Sequence, residues 1–259
     1  MKIGVFGQSS IGQRHARLIR DAGHDVVTCD PVRPADETDP AAVWPKIDAV
    51  VIATPPLTHL ALAQEAARRR LPMLIEKPLG VPEEIETWRQ VDGRRLLLGY
   101  QWRYAPELAR VCAEPATIIT AEYYGAFGAR DAAWLRDPAA GGGVLLEYSH
   151  ALDYALWAGG DGSPEDVLAL IAPNETMAMV RLWNRATVFL ASEGPPRATL
   201  TADGREWARL QTDLPACYAA QTAHFLAVCE GRAPRVGLAH GLRVLEIVDK
   251  ARRSHGEWV

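Results

Sequence analysis

Residues 2–12 read Lys2-Ile3-Gly4-Val5-Phe6-Gly7-Gln8-Ser9-Ser10-Ile11-Gly12. The first five form a short apolar strand, and the next six form a glycine-bounded turn. The following stretch, Gln13–Ala22, has the character of a helix. A turn of this kind directly after a first strand is the dinucleotide fingerprint Gly-x-Gly-x-x-Gly, with Ser9 in place of the middle glycine. Gly7 makes the tight turn, and Gly12 lets the helix pack closely. Ser9 narrows the approach of the main chain to a pyrophosphate, but its hydroxyl can donate to one. The amides at the helix start, those of Ser10 and Ile11 among them, attract phosphate. The plain alternative is an ordinary strand-to-helix turn.

The same grammar continues outward. Asp25–Cys29 reads as a second strand, ending at Asp30, 18 residues beyond Gly12. An acid at that point bonds the ribose 2′-hydroxyl and repels a 2′-phosphate, which favours NAD over NADP. Arg33 nearby could still hold a phosphate, and Asp30 could instead shape the turn before Pro31. Ala49–Ala53, Met73–Ile75 and Leu96–Leu98 are further strands, with helices over Thr58–Arg70 and near Pro82–Val91. Apolar strands without alternation are buried on both faces, which predicts a parallel, doubly wound α/β sheet. After about residue 115 the pattern changes. Ala116–Tyr124, Asp166–Ile171, Met177–Trp183, Thr187–Ser192, Ala198–Thr201 and Glu206–Gln211 read as strands, several of them alternating. Helices are expected near Val144–Ala158, Ala216–Glu230 and Leu238–Arg253. The expected division is a Rossmann-type domain over residues 1–114 and an α+β, mainly antiparallel domain over 115–259, with the last helices packing back on the first.

Composition narrows the class. The chain has 259 residues, 48% hydrophobic and 23% charged, the balance of an ordinary globular protein. A net charge of −4 gives no reason to expect nucleic acid or an anionic membrane as partner. Arg68-Arg69-Arg70 suits the C-terminal end of a helix dipole. Cys29, Cys112, Cys217 and Cys229 lie far apart, and the His residues show no His-Glu-x-x-His spacing, so neither a disulfide framework nor a metal is expected. The strand pattern starts at Lys2 with no apolar leader, and there is no long apolar run, so the default expectation is a cytoplasmic protein.

Three further stretches carry chemistry. Glu76-Lys77-Pro78 ends an apolar strand, and in an open α/β sheet the carboxyl ends of the strands are where ligands bind. A protonated lysine there can stabilise a developing alkoxide; a surface lysine paired with Glu76 is the alternative. Gly141–Asp153 begins with three glycines and continues as a helix, with Glu147, His150 and Asp153 at intervals of three. His150 can exchange a hydroxyl proton near neutral pH, and Asp153 can fix its tautomer. Gly99-Tyr100-Gln101-Trp102-Arg103-Tyr104 follows the fifth strand. Arg103 could bind a carboxylate, a phosphate or ring hydroxyls, or make a salt bridge. Trp134, Tyr148 and other aromatics could line a sugar pocket or fill the core.

Gly7–His15, Ala53-Thr54-Pro55-Pro56 with His59, Glu76-Lys77-Pro78, Gly99–Arg103 and Gly141–Asp153, in this order, resemble the glucose-fructose oxidoreductase / inositol dehydrogenase (Gfo/Idh/MocA) family. The resemblance implies a Rossmann domain followed by a domain built on an open, mainly antiparallel sheet, whose open face often carries homo-oligomer contacts. It implies a tightly held NAD or NADP, contacted by Gly7, Ser9, Ser10, Ile11, Gly12, Asp30, Thr54, Pro55, His59, Glu76, Lys77 and Gln101. Lys77, His150 and Asp153 match the family's catalytic residues. Arg103, Trp134, Glu147, Tyr148 and His150 are expected to face the substrate. The spacing Glu147-x-x-His150 departs from the commoner Asp-x-x-x-His and resembles a branch with sugar-modifying, biosynthetic members. Glu147 there would bind a substrate hydroxyl. The second domain is also shorter than usual. The implied activity is hydride transfer between nicotinamide and a secondary alcohol or ketone of a sugar, amino sugar or cyclitol. Reduction of an imine or conjugated double bond, and a non-catalytic nucleotide-binding scaffold, are the alternatives.

Overall fold

The computed structural model describes residues 1–111, 118–125, 133–159, 167–172, 175–182, 186–192, 197–209 and 214–254. It consists of two compact units, Met1–Gly99 with Tyr218–Leu242, and Tyr100–Cys217 with Arg243–Val259.

The first unit holds strands β1 (Lys2–Phe6), β2 (Asp25–Cys29), β3 (Ala49–Ile52), β4 (Met73–Glu76) and β5 (Leu96–Gly99). Helices α1 (Ser10–Asp21), α2 (Pro40–Val43), α3 (His59–Arg68) and α4 (Ile85–Trp88) alternate with them. The five strands are parallel, in the order β2-β1-β3-β4-β5. Every position of β3, β4 and β5 is buried, as the unalternating apolar runs require. Ile3, Val5, Ala49, Val51, Leu74 and Leu97 meet Ala16 and Ile19 of α1 and Phe225 of the helix Leu214–Cys229 in one core. On Phe6, Trp44 packs edge-on with ring centroids 4.7 Å apart. The edge of β5 is covered by the segment that follows the Phe225 helix, for Leu98 N donates to Val236 O at 2.8 Å. Capping that edge removes a pairing surface that an open sheet would otherwise expose.

Two details differ from the sequence reading. The stretch expected to be one helix near Pro82–Val91 is a 3-10 turn, Pro82–Glu84, followed by the single-turn α4. Trp88 is wholly buried there, so tertiary packing decides where the segment ends. The short α2 was not anticipated, although its signal is present. Asp39 accepts from Ala41 N at 2.8 Å and Pro40 takes the first helical position.

The second unit holds β6 (Ile119–Tyr124), β7 (Val167–Ile171), β8 (Met177–Leu182), β9 (Ala186–Ala191), β10 (Arg197–Ala202) and β11 (Arg205–Arg209). Its helices are α5 (Pro106–Val111), α6 (Val144–Glu147) and α7 (Ser149–Gly159). Two long helices close the chain, α8 (Leu214–Cys229) and α9 (Leu238–Ser254). The strand order is β11-β10-β6-β9-β8-β7. All neighbours are antiparallel except β6 and β9. That parallel pair needs a crossover, and α6 with α7 lies in the connection that separates the two strands. In β7, Val167, Ala169 and Ile171 are buried while Leu168 and Leu170 point outward. One face therefore packs beneath α7, where Tyr154 Oη donates to Glu122 O at 2.9 Å. The other face leaves Leu168, Leu170 and Met177 exposed. Among the described residues, no helix is long and apolar enough to cross a membrane.

Candidate active site

In the first unit the strand order reverses at β1, which has β2 on one side and β3 on the other. The crevice at such a point is the ligand position of open α/β sheets. The loop that leaves β1 can be this tight only with glycine at two positions. Gly7 has φ +89°, and a Cβ there would lie 2.3 Å from Ala53 O. A Cβ on Gly12 would lie 1.8 Å from Gly7 O. Ser9 has φ −67° and ψ 178°, an ordinary extended conformation, so the middle position accepts a side chain. Ser9 makes no side-chain bond to the first turn of α1, whose free amides form an anion-attracting end.

Asp30 joins this loop to the end of β2. Its Oδ2 accepts from Gln8 N at 2.7 Å, and its Oδ1 accepts from Val32 N at 2.8 Å and Arg33 N at 2.9 Å. Burial pushes the Asp30 pKa up, but the three amides and the Arg33 charge outweigh it, leaving the carboxyl below its usual range. An ionised carboxylate has about four acceptor sites, so one remains after these three bonds. Asp30 thus shapes the turn and still keeps capacity for a hydroxyl donor.

Lys77 stands directly after β4, and its peptide bond to Pro78 is cis. Glu76, the last residue of β4, is buried opposite Gly99 of β5. A Cβ on Gly99 would come within 2.9 Å of Glu76 Cα, so this glycine makes room for the acid. Glu76 Oε1 lies 2.8 Å from His15 Nε2, and Oε2 accepts from Lys77 N at 3.2 Å. His59, at the start of α3, supports the loop from the other side. Its Nε2 lies 2.8 Å from Thr54 O, and its Nδ1 lies 3.0 Å from Pro78 O and 3.3 Å from Leu79 O. Burial lowers the His59 pKa, against the opposing pull of the three carbonyls and the Glu76 charge. The neutral ring carries one N–H and serves one loop at a time. Thr54 Oγ1 accepts from Thr58 Oγ1 at 2.7 Å, and Pro55 is exposed.

The second unit gathers the remaining residues. The helix expected as one piece near Val144–Ala158 is broken at Tyr148, where φ is −102° and ψ 25°. The Tyr148 ring stacks on Tyr123 of β6, with centroids 4.9 Å apart, so packing against the sheet overrides helix continuity. Glu147 therefore ends α6, while His150 and Asp153 share α7; all three are buried. Gln101 Nε2 lies 3.4 Å from His150 Nε2. The amide of Gln101 thus lies in hydrogen-bonding range of the His150 ring, with donor and acceptor set by the ring tautomer. Tyr100 meets the His150 ring edge-on at 5.5 Å, and Tyr123 stacks at 6.1 Å.

Asp153 is gripped by Arg103. Arg103 Nε reaches both carboxylate oxygens at 3.0 Å, and its Nη2 reaches Oδ1 at 2.9 Å and the Asp153 carbonyl at 3.3 Å. The guanidinium also lies 4.5 Å over the Trp157 ring. This planar fork suits arginine and not lysine. The pair ties the turn Gln101–Tyr104 to α7, the two elements that carry Gln101 and His150. The side chain of Trp134 lies outside the described residues.

Two residues of these clusters were given no role from sequence, His15 and Tyr100. His15 had a signal: it falls with Gly12, Ala16 and Ile19 on the buried stripe of α1, where a polar side chain requires a partner.

Residues 30–92 match a family model described as an oxidoreductase family with an NAD-binding Rossmann fold. Inositol 2-dehydrogenase 4 of Saccharopolyspora erythraea is 35% identical over 134 residues, 43% of this chain and 39% of that protein. The alignment thus spans about two fifths of that relative's length. A levoglucosan dehydrogenase solved with NADH and levoglucosan superposes with a TM-score of 0.79 at 17% identity, covering 99% of this chain and 97% of the other. GenD2 from gentamicin A biosynthesis, solved with NAD, gives a TM-score of 0.77 at 19% identity, with 99% and 94% covered. These structural matches establish the shared fold.

Proposed function

We propose that the chain is a member of the Gfo/Idh/MocA oxidoreductase family and transfers hydride between NAD and a secondary alcohol or ketone of a cyclitol, sugar or amino sugar. The observation that carries this reading is the place of Lys77: at the carboxyl end of a buried parallel strand, two strands from a loop that only glycine can close. The residues of the first unit suit NAD. The free amides of α1 and Ser9 would hold the pyrophosphate, and the remaining acceptor capacity of Asp30 would take a ribose hydroxyl. NAD supplies the hydride acceptor.

In oxidation, His150 Nε2 takes the proton of the reacting hydroxyl, while the Lys77 ammonium steadies the negative charge that develops on the oxygen. Gln101 orients the ring and gives way at Nε2 when the substrate hydroxyl binds. In reduction the proton returns by the same route. Asp153 serves this chemistry through Arg103, by holding α7 and with it His150. Glu147 and Tyr148 are assigned to substrate hydroxyls and to the sugar face.

The test is to mix the protein with NAD and, separately, myo-inositol, scyllo-inositol, levoglucosan and a UDP-linked amino sugar acid, and to follow NADH absorbance. At least one polyol should give continuous turnover. NAD binding with no turnover across the panel would instead favour a nucleotide-binding scaffold. The partner we infer for the exposed face carrying Leu168, Leu170 and Met177 is a second copy of the chain. Sedimentation equilibrium should show a dimer that Leu168→Glu weakens, and a monomeric wild type would remove this part.

A further inference from the structure

We propose that His15 is a positioning residue that carries the placement of the dinucleotide-loop helix to Lys77 through Glu76; this rests on the role given to Lys77 above. Three observations join into one path. His15 lies on α1, six residues after Ser9, and is only 1% exposed. Its Nε2 meets Glu76 Oε1 at 2.8 Å. The other oxygen of the same carboxylate accepts from the amide of Lys77 itself, at 3.2 Å.

An ionised carboxylate only accepts, so the proton at this contact sits on His15 Nε2. Burying a carboxylate requires such donors, and each one fixes it in direction as well as in place. The His15 ring is itself oriented, standing edge-on to Tyr218 at 5.9 Å, while the Arg14 guanidinium lies 4.6 Å over the same tyrosine. A shift or rotation of α1 thus pulls on the main chain at Lys77. A fold brace would need the carboxylate held anywhere along β4. Here the held residue is the one bonded to the amide of the reactive lysine.

The test compares His15→Phe, which keeps an aromatic ring but no donor, with His15→Gln, which keeps an N–H. For His15→Phe kcat should fall by up to about 10²-fold, the effect of a small misplacement of a catalytic group. The Kd for NAD should change little, and His15→Gln should recover most of the loss. A second readout needs no turnover. The chain has four lysines, Lys2, Lys46, Lys77 and Lys250, so reductive 13C-methylation gives a resolvable NMR spectrum. The Lys77 signal should move in His15→Phe and return in His15→Gln. If both variants only lower the melting temperature, with kcat and the Lys77 signal as in the wild type, the inference is overturned. It is also overturned if His15→Phe loses NAD affinity at unchanged kcat. Should His15→Phe not fold, Glu76→Gln carries the test, and an unmoved Lys77 signal there overturns the inference. Normal turnover by Lys77→Met would defeat the assigned chemistry instead, while the lysine spectrum would still report on His15.

Discussion

Replacing His150 by asparagine is expected to lower kcat by about 10²–10⁴-fold, the usual contribution of a positioned general base. The His150 ring is enclosed by Tyr100 and Tyr123 and touched by Gln101, and asparagine can occupy that space without offering a basic nitrogen. NAD affinity should be retained, because the loop and Asp30 belong to the other unit. Asp153→Asn is expected to behave differently. It removes the carboxylate charge that meets the buried Arg103 guanidinium, so its main effect should be a loss of about 3 kcal/mol in stability. Chemical denaturation with both variants, beside steady-state kinetics, separates the two. A His150→Asn protein with wild-type kcat would remove the histidine from the reaction.

The second large effect is at Lys77. Lys77→Met keeps a chain of similar length and loses the charge. Losing one donor to a developing oxyanion costs about 10²–10³-fold in kcat, or roughly 3–4 kcal/mol of transition-state stabilisation. The loss should appear in kcat and in kcat/KM alike, because the interaction forms only as charge develops. Stability should change little, since the Glu76 carboxylate is held by the Lys77 amide and by His15. A variant with raised KM and unchanged kcat would make Lys77 a binding residue.

The first unit was largely legible because its signals are local. Apolar runs such as Ala49–Ile52 have no helical period, and Gly7 and Gly12 bracket the loop that their missing Cβ atoms make feasible. Ser9 looked like a departure from the fingerprint. The main chain explains it, since the middle position sits at an ordinary negative φ. The second unit was legible as strands but not in detail. The parallel pairing of β6 with β9, and the break at Tyr148, come from contacts between residues far apart in sequence. Spacing alone placed Glu147, His150 and Asp153 on one helix. It could not reveal that Arg103, some fifty residues earlier, holds Asp153. His59 shows the same limit. Its place after Thr54 was readable, but its link to Pro78 and Leu79 depends on how the loops after β3 and β4 approach each other. The same reason hid His15, whose partner Glu76 lies 61 positions away.

The proposed chemistry rests on transfer of a carbon-bound hydrogen to NAD. The most direct measurement is NMR of the NADH formed when the protein, NAD and the most active polyol of the panel, deuterated at its CH–OH carbons, are incubated together. Deuterium should appear on one face of nicotinamide C4, with transfer slowed in Lys77→Met and in His150→Asn. NADH without deuterium, or equal transfer by the wild type and both variants, would contradict it.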